Sequence, residues 1–180
     1  MRQLAVQSTK GRALLQPVSR STDFESAYSS LRNAKWACFN VRFGANGGTD
    51  VRITLMQAKN VAGASEKELI IRTGLVFRQN SAGTGSDADK WTEVTVTNSD
   101  ATGAYVPVAG DDNYSYKVYV HNDMLDADND FDCVAVRVNG NSTTLLEVDI
   151  EFEEPRFGGD PNEPLVTPSA ALDGGDQFGN

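Results

Sequence analysis

Residues 36–55 have the sequence WACFNVRFGANGGTDVRITL, in which apolar side chains recur at every second position on both sides of a glycine-rich turn. The alternating apolar residues are Ala37, Phe39, Val41 and Phe43 before the turn, and Val51, Ile53 and Leu55 after it. A period of two is typical of a β-strand with one buried face, whereas a helix repeats about every 3.6 residues. The segment predicts two strands, and the turn between them predicts that they form a β-hairpin.

The same alternation continues along the chain to residue 152. It recurs in residues 69–78 around Gly74, in 91–97, in 114–121, in 132–138 and in 146–152. In the last segment Glu147, Asp149 and Glu151 share one side, which must face solvent or a basic partner. Seven or eight short strands separated by turn residues predict an all-β fold, namely a jelly-roll-like β-sandwich with extended N- and C-terminal arms. An immunoglobulin-like sandwich fits the same pattern.

Residues 22–34 (TDFESAYSSLRNA) are the one stretch whose apolar residues have helical spacing. Thr22 or Asp23 has the side chain of an N-cap. The residues at positions i, i+3, i+4 and i+7 are Phe24, Ala27, Tyr28 and Leu31. This spacing predicts a short helix before the first long strand.

The N-terminal segment, residues 1–20, is basic although the chain as a whole is acidic. It contains Arg2, Lys10, Arg12 and Arg20 and no acidic residue, whereas the whole chain has a net charge of −9. Such asymmetry favours an interaction arm in which these four side chains contact a partner or a neighbouring subunit. A short first strand at residues 4–7 followed by a loop explains the segment equally well. In either case residues 21–154 are predicted to form the single β domain.

The C-terminal segment, residues 155–180, is rich in proline and glycine. Four prolines and five glycines prevent a regular helix or a central strand, and few apolar residues remain to offset the entropy of ordering. We therefore expect an arm that becomes ordered only against a neighbouring subunit. Its predicted anchors are Phe157, Leu165, Val166, Leu172 and Phe178.

Composition excludes several classes of partner. With a net charge of −9 and a pI near 4.5, direct binding to nucleic acid is disfavoured, because that binding depends on basic side chains. No run approaches the ~18 apolar residues of a membrane span, and the first residues lack the apolar core of a secretory signal, so we expect synthesis in the cytoplasm. Cys38 and Cys133 lie in apolar runs and are predicted to be buried, reduced thiols; a single disulfide between strands stays open as the alternative.

Two stretches have residue types that can support metal binding or catalysis. Asp126, Asp128 and Asp130 alternate as in a calcium loop, but Phe131 and Arg137 stand where such a loop needs glycine and glutamate. The other candidate is His121, a general base that a nearby carboxylate would orient. The carboxylates near it in sequence are Asp111, Asp112 and Asp123. The mismatches at Phe131 and Arg137 predict no metal. Because no nucleophile motif accompanies the histidine, the sequence also predicts no catalytic residue, no cofactor and no enzymatic activity.

Aromatic residues suggest one alternative function. Trp91, Tyr105, Tyr114, Tyr116 and Tyr119 have the side chains of a sugar-stacking platform. In a β domain, however, such side chains mostly fill the core or cover its edges. We therefore predict a structural role for most of them.

Two segments of the chain resemble small structural proteins of tailed-bacteriophage heads. They are VRFGANGGTDVRITLMQAKNVAGASEKEL at 41–69 and MLDADNDFDCVAVRV at 124–138. The matching residues are Val51, Ile53, Leu55, Gln57, Ala58 and Gly63 in the first, and Leu125, Asp126, Phe131, Val134 and Val136 in the second. The chain departs from that pattern at Asp130, where glycine is expected before the aromatic residue, and in its long C-terminal arm.

The resemblance implies a capsid decoration protein, also called a cement protein. Such a protein is a structural component of the virion that binds the outer surface of a bacteriophage capsid, at joints between subunits of the major capsid protein. It is commonly a homotrimer, and it is made in the host cytoplasm. The alternative function is a phage tail or spike β-sandwich module that binds host glycans. Exposed aromatic residues on one face would favour that alternative.

Overall fold

The structure is a computed structural model that describes residues 9–20, 22–46, 52–72, 74–80, 90–94, 96, 113–139 and 144–155. Within these ranges the chain forms eleven β-strands and two short 3-10 helices, Asn122–Met124 and Ala127–Asn129. The strands are β1 (Thr9–Arg20), β2 (Phe24–Glu25), β3 (Ser29–Ser30), β4 (Ala34–Asn46), β5 (Arg52–Ala58), β6 (Lys67–Leu69), β7 (Val76–Asn80), β8 (Thr92–Glu93), β9 (Tyr114–His121), β10 (Cys133–Asn139) and β11 (Thr144–Pro155).

The strands form two antiparallel sheets, which confirms the predicted all-β class. The six-stranded sheet has the order β1-β11-β4-β9-β7-β8. The five-stranded sheet has the order β2-β10-β5-β6, and β3 pairs with β10 beside β2. Seven strands have five residues or more, and the remaining four have two or three.

The core lies between the two sheets and is built from the alternating residues. In the six-stranded sheet the fully buried side chains include Phe39, Val41, Val118, Val148 and Ile150. They pack in one cluster with Ile53, Leu55, Val134 and Val136 of the five-stranded sheet. Burial of each such side chain is worth about 1.5–3 kcal/mol, so this layer is the main source of stability.

The predicted hairpin is wrong, because β4 and β5 lie in different sheets. β4 pairs with β9 and β11, whereas β5 pairs with β10 and β6. Alternation specifies which side of a strand is buried, but it does not specify the neighbouring strand. A glycine-rich connection that crosses between sheets has the same composition as a hairpin turn.

The alternating stretch 69–78 is likewise divided between the sheets. β6 ends at Leu69 in the five-stranded sheet, and β7 begins at Val76 in the six-stranded sheet. Gly74 lies between them with φ +86°, a conformation that favours glycine. The glycine therefore marks the crossing and not an irregularity within one strand.

The predicted helix at residues 22–34 is also wrong. This segment is extended, and β2 and β3 run along the edge of β10. Phe24, Ser26 and Tyr28 are buried at a period of two, and Ser26 exchanges hydrogen bonds with Val136. The Ser26 amide donates to the Val136 carbonyl at 3.0 Å, and the Val136 amide donates to the Ser26 hydroxyl at 3.1 Å. Pairing with an open strand edge outweighed the weak helical spacing.

The basic N-terminal segment contributes an edge strand from residue 9 onward. β1 pairs with β11 from Thr9 opposite Glu153 to Arg20 opposite Thr144, with two register irregularities. Lys10, Arg12 and Arg20 lie in this strand, and the Arg12 guanidinium donates to the Ser29 hydroxyl at 2.8 Å. Arg2 and the strand predicted at residues 4–7 lie outside the described residues. A basic strand thus lies beside the most acidic strand of the sheet.

Candidate interaction surface

The outer face of the six-stranded sheet carries a row of carboxylates, and we call it the acidic face. On β11 the apolar residues point into the core, and Glu147, Asp149, Glu151 and Glu153 lie on the opposite side, half-buried. This confirms the predicted orientation of the acidic side of this strand. Register places Arg42, Asn40, Cys38 and Trp36 of β4 beside the four acids, and then Ser115, Lys117, Tyr119 and His121 of β9.

One end of the acidic row is neutralised by neighbours on β4. Arg42 Nη1 lies 3.0 Å from Glu147 Oε1 and 3.1 Å from Asp149 Oδ2. Partial burial lowers the pKa of Arg42, but the hydrogen bond to Glu147 and the charge of Asp149 outweigh this effect and raise it. The Asn40 side-chain amide also donates to Asp149 at 2.6 Å. This end of the row is therefore internally paired.

The other end of the row is open. Among the described residues, none forms an ion pair with Glu151 or Glu153. On the β1 side Glu151 faces Gly11, which has no side chain, and an added Cβ there would lie 3.6 Å from Glu151 Cγ. Two negative charges thus have no ion-pair partner in the part of the chain that the structure describes.

A buried thiol lies beneath this open end. Cys38 is fully buried between the register positions of Glu151 and Tyr119. Burial raises the pKa of its thiol to about 12, against smaller lowering effects of Lys117 and Tyr119. Cys133, in the other sheet, is likewise buried and free, with a pKa raised to about 12 by burial and by its contact with Asp132. Because the two thiols lie on opposite outer faces of the sandwich, they form no disulfide with each other.

The outer face of the five-stranded sheet is covered by its own chain. A second apolar cluster lies there, comprising Tyr28, Met56, Ala58, Cys133 and Ala135. The segment 59–66 folds over it, and Gly63 approaches Tyr28 so closely that an added Cβ would lie 3.0 Å from the ring. The Tyr28 hydroxyl donates to Glu66 at 2.9 Å, and burial first, then this bond, raises the pKa of Tyr28.

Charged groups complete this cover. The Arg137 guanidinium donates to Glu25 at 2.7 Å and lies 3.4 Å from Glu66. Glu66 therefore contacts both the arginine and the Tyr28 hydroxyl. The polar groups over this face bond to one another, so this side of the sandwich offers few free groups to a partner.

Of the three aspartates that alternate as in a calcium loop, Asp126 bonds to neighbouring side chains. Asp126 accepts hydrogen bonds from Lys67 and, at 2.9 Å, from the Asn129 amide. The Lys67 bond first, and the Asn129 bond second, lower the pKa of Asp126. Asp128 and Asp130 are exposed. In the part of the chain that the structure describes, no three His, Cys, Asp or Glu side chains are grouped to hold a metal ion.

His121 lies in a cleft at the end of the acidic face where β4 begins. Its ring makes an edge contact with the Trp36 indole, with centroids 4.3 Å apart, and its Nδ1 lies 2.6 Å from Asp123 Oδ1. Asp123 thus contacts the imidazole, while Asp111 and Asp112 lie outside the described residues. The cleft measures about 440 Å³ and is lined by Trp36, Arg72, Leu75, His121, Asp123 and Met124. None of these lining side chains is a hydroxyl or thiol nucleophile.

Sequence reasoning missed Trp36 and Arg72 as members of this cleft. Trp36 begins the alternating segment on its polar side, which is the one signal that it faces outward. Arg72 reaches the cleft from the crossing between β6 and β7, whereas the alternation in residues 69–78 predicts a single strand there. No pattern within the sequence brings residue 72 near residue 121.

The aromatic residues predicted for a sugar platform do not form one surface. Tyr116 is fully buried, Tyr114 and Tyr119 are half-buried, and Trp91 is 40% exposed with Lys117 Nζ 5.1 Å from its ring. Tyr105 lies outside the described residues. The predicted anchors Phe157, Leu165, Val166, Leu172 and Phe178 lie outside them as well.

The two segments that carry the family resemblance form one unit of the fold. β5 and β10 pair antiparallel, with Gln57 opposite Val134 and Leu55 opposite Val136. The Gln57 side chain accepts a hydrogen bond from the Asp126 amide at 3.0 Å. Asp130 has φ +64°, the left-handed conformation that favours glycine, which explains why glycine is expected at this position.

Comparison of the chain with profiles of protein families, with curated protein sequences and with solved structures finds no match. Among the described residues, no helix has the length and hydrophobicity needed to span a bilayer.

Proposed function

We propose that this protein is a structural component of a bacteriophage virion that attaches to the outer surface of the capsid through the acidic face and stabilises the shell. The observation that carries the proposal is the difference between the two outer faces of the sandwich. One is covered by the segment 59–66 and by Tyr28, whereas the other leaves Glu151 and Glu153 without a cation from the described residues. The paired segments β5 and β10 supply the resemblance to decoration proteins.

The negative charge of the acidic face indicates that its partner presents a basic surface. Four carboxylates at a period of two form a row along β11, and the surface that complements this row is basic. Single exposed ion pairs contribute only about 0–1 kcal/mol, so several must form together. Opposite charges also accelerate association and select against acidic partners.

Attachment of this kind stabilises a shell by mass action. A ligand that binds only the assembled shell adds its binding free energy to the stability of that state. If the protein is a homotrimer, three weak contacts reinforce one another through their effective concentration. Modest complementarity at each acidic face is then enough for firm attachment.

Co-sedimentation with capsids tests the proposal. The double substitution Glu151→Lys and Glu153→Lys reverses the two unpaired charges, and we expect a loss of capsid binding of at least about tenfold. The matched control is Glu68→Lys with Asp128→Lys, which makes the same change in net charge at two exposed positions away from the acidic face. The control protein should still sediment with capsids. Equal binding by both variants, or failure of the native protein to bind, would refute the proposed attachment.

A further inference from the structure

The cleft that contains His121 is prearranged by its own contacts. The imidazole is held from one side by the Trp36 ring and from another by the Asp123 carboxylate. The His121 amide also faces the sulfur of Met124 at 3.4 Å, which fixes the 3-10 turn at the cleft wall. Such rigidity reduces the entropy lost when a ligand binds.

The contacts of Nδ1 bear on which tautomer the neutral His121 ring adopts. Nδ1 lies 3.3 Å from the Asp123 amide and 2.6 Å from the Asp123 carboxylate, and it cannot accept from the first while donating to the second. The shorter separation requires a proton between nitrogen and oxygen, so we assign the proton to Nδ1. In the neutral ring Nε2 is then a hydrogen-bond acceptor.

The polar lining offers both donors and acceptors with balanced charge. Arg72 is exposed, supplies only donors, and has no ion-pair partner among the described residues. The Asp123 carboxylate supplies acceptors, and so does Nε2 of the imidazole when the ring is neutral. A carboxylate ligand would be attracted by Arg72 but repelled by Asp123. An ammonium ligand would be attracted by Asp123 but repelled by Arg72. A hydroxyl group both donates and accepts, so a ligand with several hydroxyls satisfies all three side chains.

The apolar lining suits a ring. Trp36, Leu75 and Met124 contribute the apolar part of the cleft. The edge contact with His121, at an interplanar angle of 64°, occupies at most one face of the indole. The volume of about 440 Å³ falls within the range of pockets for small ligands, about 300–1,000 Å³. We propose that this cleft binds a neutral saccharide ring, which packs on Trp36 and hydrogen-bonds to Arg72, His121 and Asp123.

This inference does not depend on attachment to a capsid. The cleft is open and has few polar groups, so we expect weak binding. The dissociation constant should lie in the millimolar range, which corresponds to a binding free energy of about −4 kcal/mol. On an assembly with many copies, such weak sites act together through avidity. The saccharide site therefore adds a second binding activity at the end of the acidic face.

A saccharide titration of the full-length protein tests the site. Glucose, galactose, N-acetylglucosamine and maltose would be added separately while the indole signals of Trp36 and Trp91 and the ring signals of His121 are followed by NMR. These are the only two tryptophans in the chain. At least one neutral sugar should shift the Trp36 and His121 signals in a saturable manner. The Trp91 signal should not move.

Two pairs of variants complete the test. Arg72→Ala should weaken binding about tenfold, because it removes a charged hydrogen-bond donor, whereas Arg32→Ala, at another exposed arginine, should leave it unchanged. Trp36→Phe should weaken binding, and Trp91→Phe should not. The proposal is overturned if no neutral sugar shifts these signals, if only sialic acid or glucosamine does, if Arg72→Ala binds as well as the native protein, or if a tryptophan-containing peptide binds the cleft instead.

Discussion

The two outer faces of the sandwich differ in what covers them. Over the five-stranded sheet, Tyr28 and Gly63 bring a loop against an apolar cluster, and Arg137 with two glutamates completes the cover. Over the six-stranded sheet, the side chains of β11, β4 and β9 stand without such a loop among the described residues. The groups over the five-stranded sheet bond to one another, whereas Glu151 and Glu153 over the six-stranded sheet have no ion pair with the described residues.

The two faces should differ most in the loss of unfolding free energy when a tyrosine is replaced by alanine. Tyr28→Ala leaves a cavity in the cluster over the five-stranded sheet and should lower the free energy of unfolding by about 3 kcal/mol or more. Tyr119→Ala, on the acidic face, loses a half-buried ring and its edge contact with Phe77 and should cost about 1–2 kcal/mol. Urea denaturation measures both. Equal losses would show that the faces are covered to the same degree.

Two glycines, one on each outer face, should also differ in their tolerance of substitution. Gly63 has φ +80° and would place a Cβ 3.0 Å from the Tyr28 ring, so Gly63→Ala should cost about 2 kcal/mol. Gly11→Ala, beside Glu151, meets an ordinary contact of 3.6 Å and should change stability by less than about 0.5 kcal/mol. Thermal unfolding of the two variants and of the native protein measures both changes in stability. A stable Gly63→Ala protein would mean that the loop does not press on Tyr28.

The buried thiols predict a dependence on alkaline pH. The pKa of Cys38 is raised from 9.0 to about 12, so the folded state favours the protonated thiol. Its contribution to stability is complete below about pH 9 and is lost as pH rises through the folded pKa. From about pH 9 to about pH 12 the melting temperature of the native protein should fall, and it should fall less in the Cys38→Ala variant. Thiol reagents at neutral pH should leave the native protein unlabelled, and rapid labelling would contradict the burial of Cys38.

The smallest stability change is expected at the open end of the acidic face. Glu151→Lys with Glu153→Lys should change the free energy of unfolding by less than about 0.5 kcal/mol, because neither carboxylate is paired within the described fold. Chemical denaturation beside the native protein measures the difference. A loss of several kcal/mol would mean that these charges maintain the fold.

Alternation predicted much of this architecture, because burial on one side of a strand is a local property. It indicated the β class and the outward direction of Glu147, Asp149 and Glu151. Strand partners were not predictable, since the same glycine-rich segment suits a hairpin or a crossing between sheets. The role of residues 22–34 was missed for a related reason. Within this segment Ser26 exchanges hydrogen bonds with Val136, more than a hundred residues away. No local sequence pattern indicates that this segment pairs with the edge of β10.

The candidate surface was predictable only in part. The acidic row follows from the period of β11, but its openness depends on Gly11 of a strand whose pairing the sequence left undecided. The cleft unites Trp36, Arg72 and His121 from three distant segments. Long-range register created it, and neither spacing nor composition contains that information.

Footprinting of carboxylates tests whether the acidic face is the surface that attaches to the capsid. Carbodiimide-driven labelling followed by mass spectrometry would compare free protein with protein bound to capsids. We expect labelling of Glu151 and Glu153 to fall several-fold on the particle, while labelling of Glu68 and Asp128 stays unchanged. Equal labelling of all four residues in both states, or protection confined to Glu68 and Asp128, would contradict attachment through the acidic face.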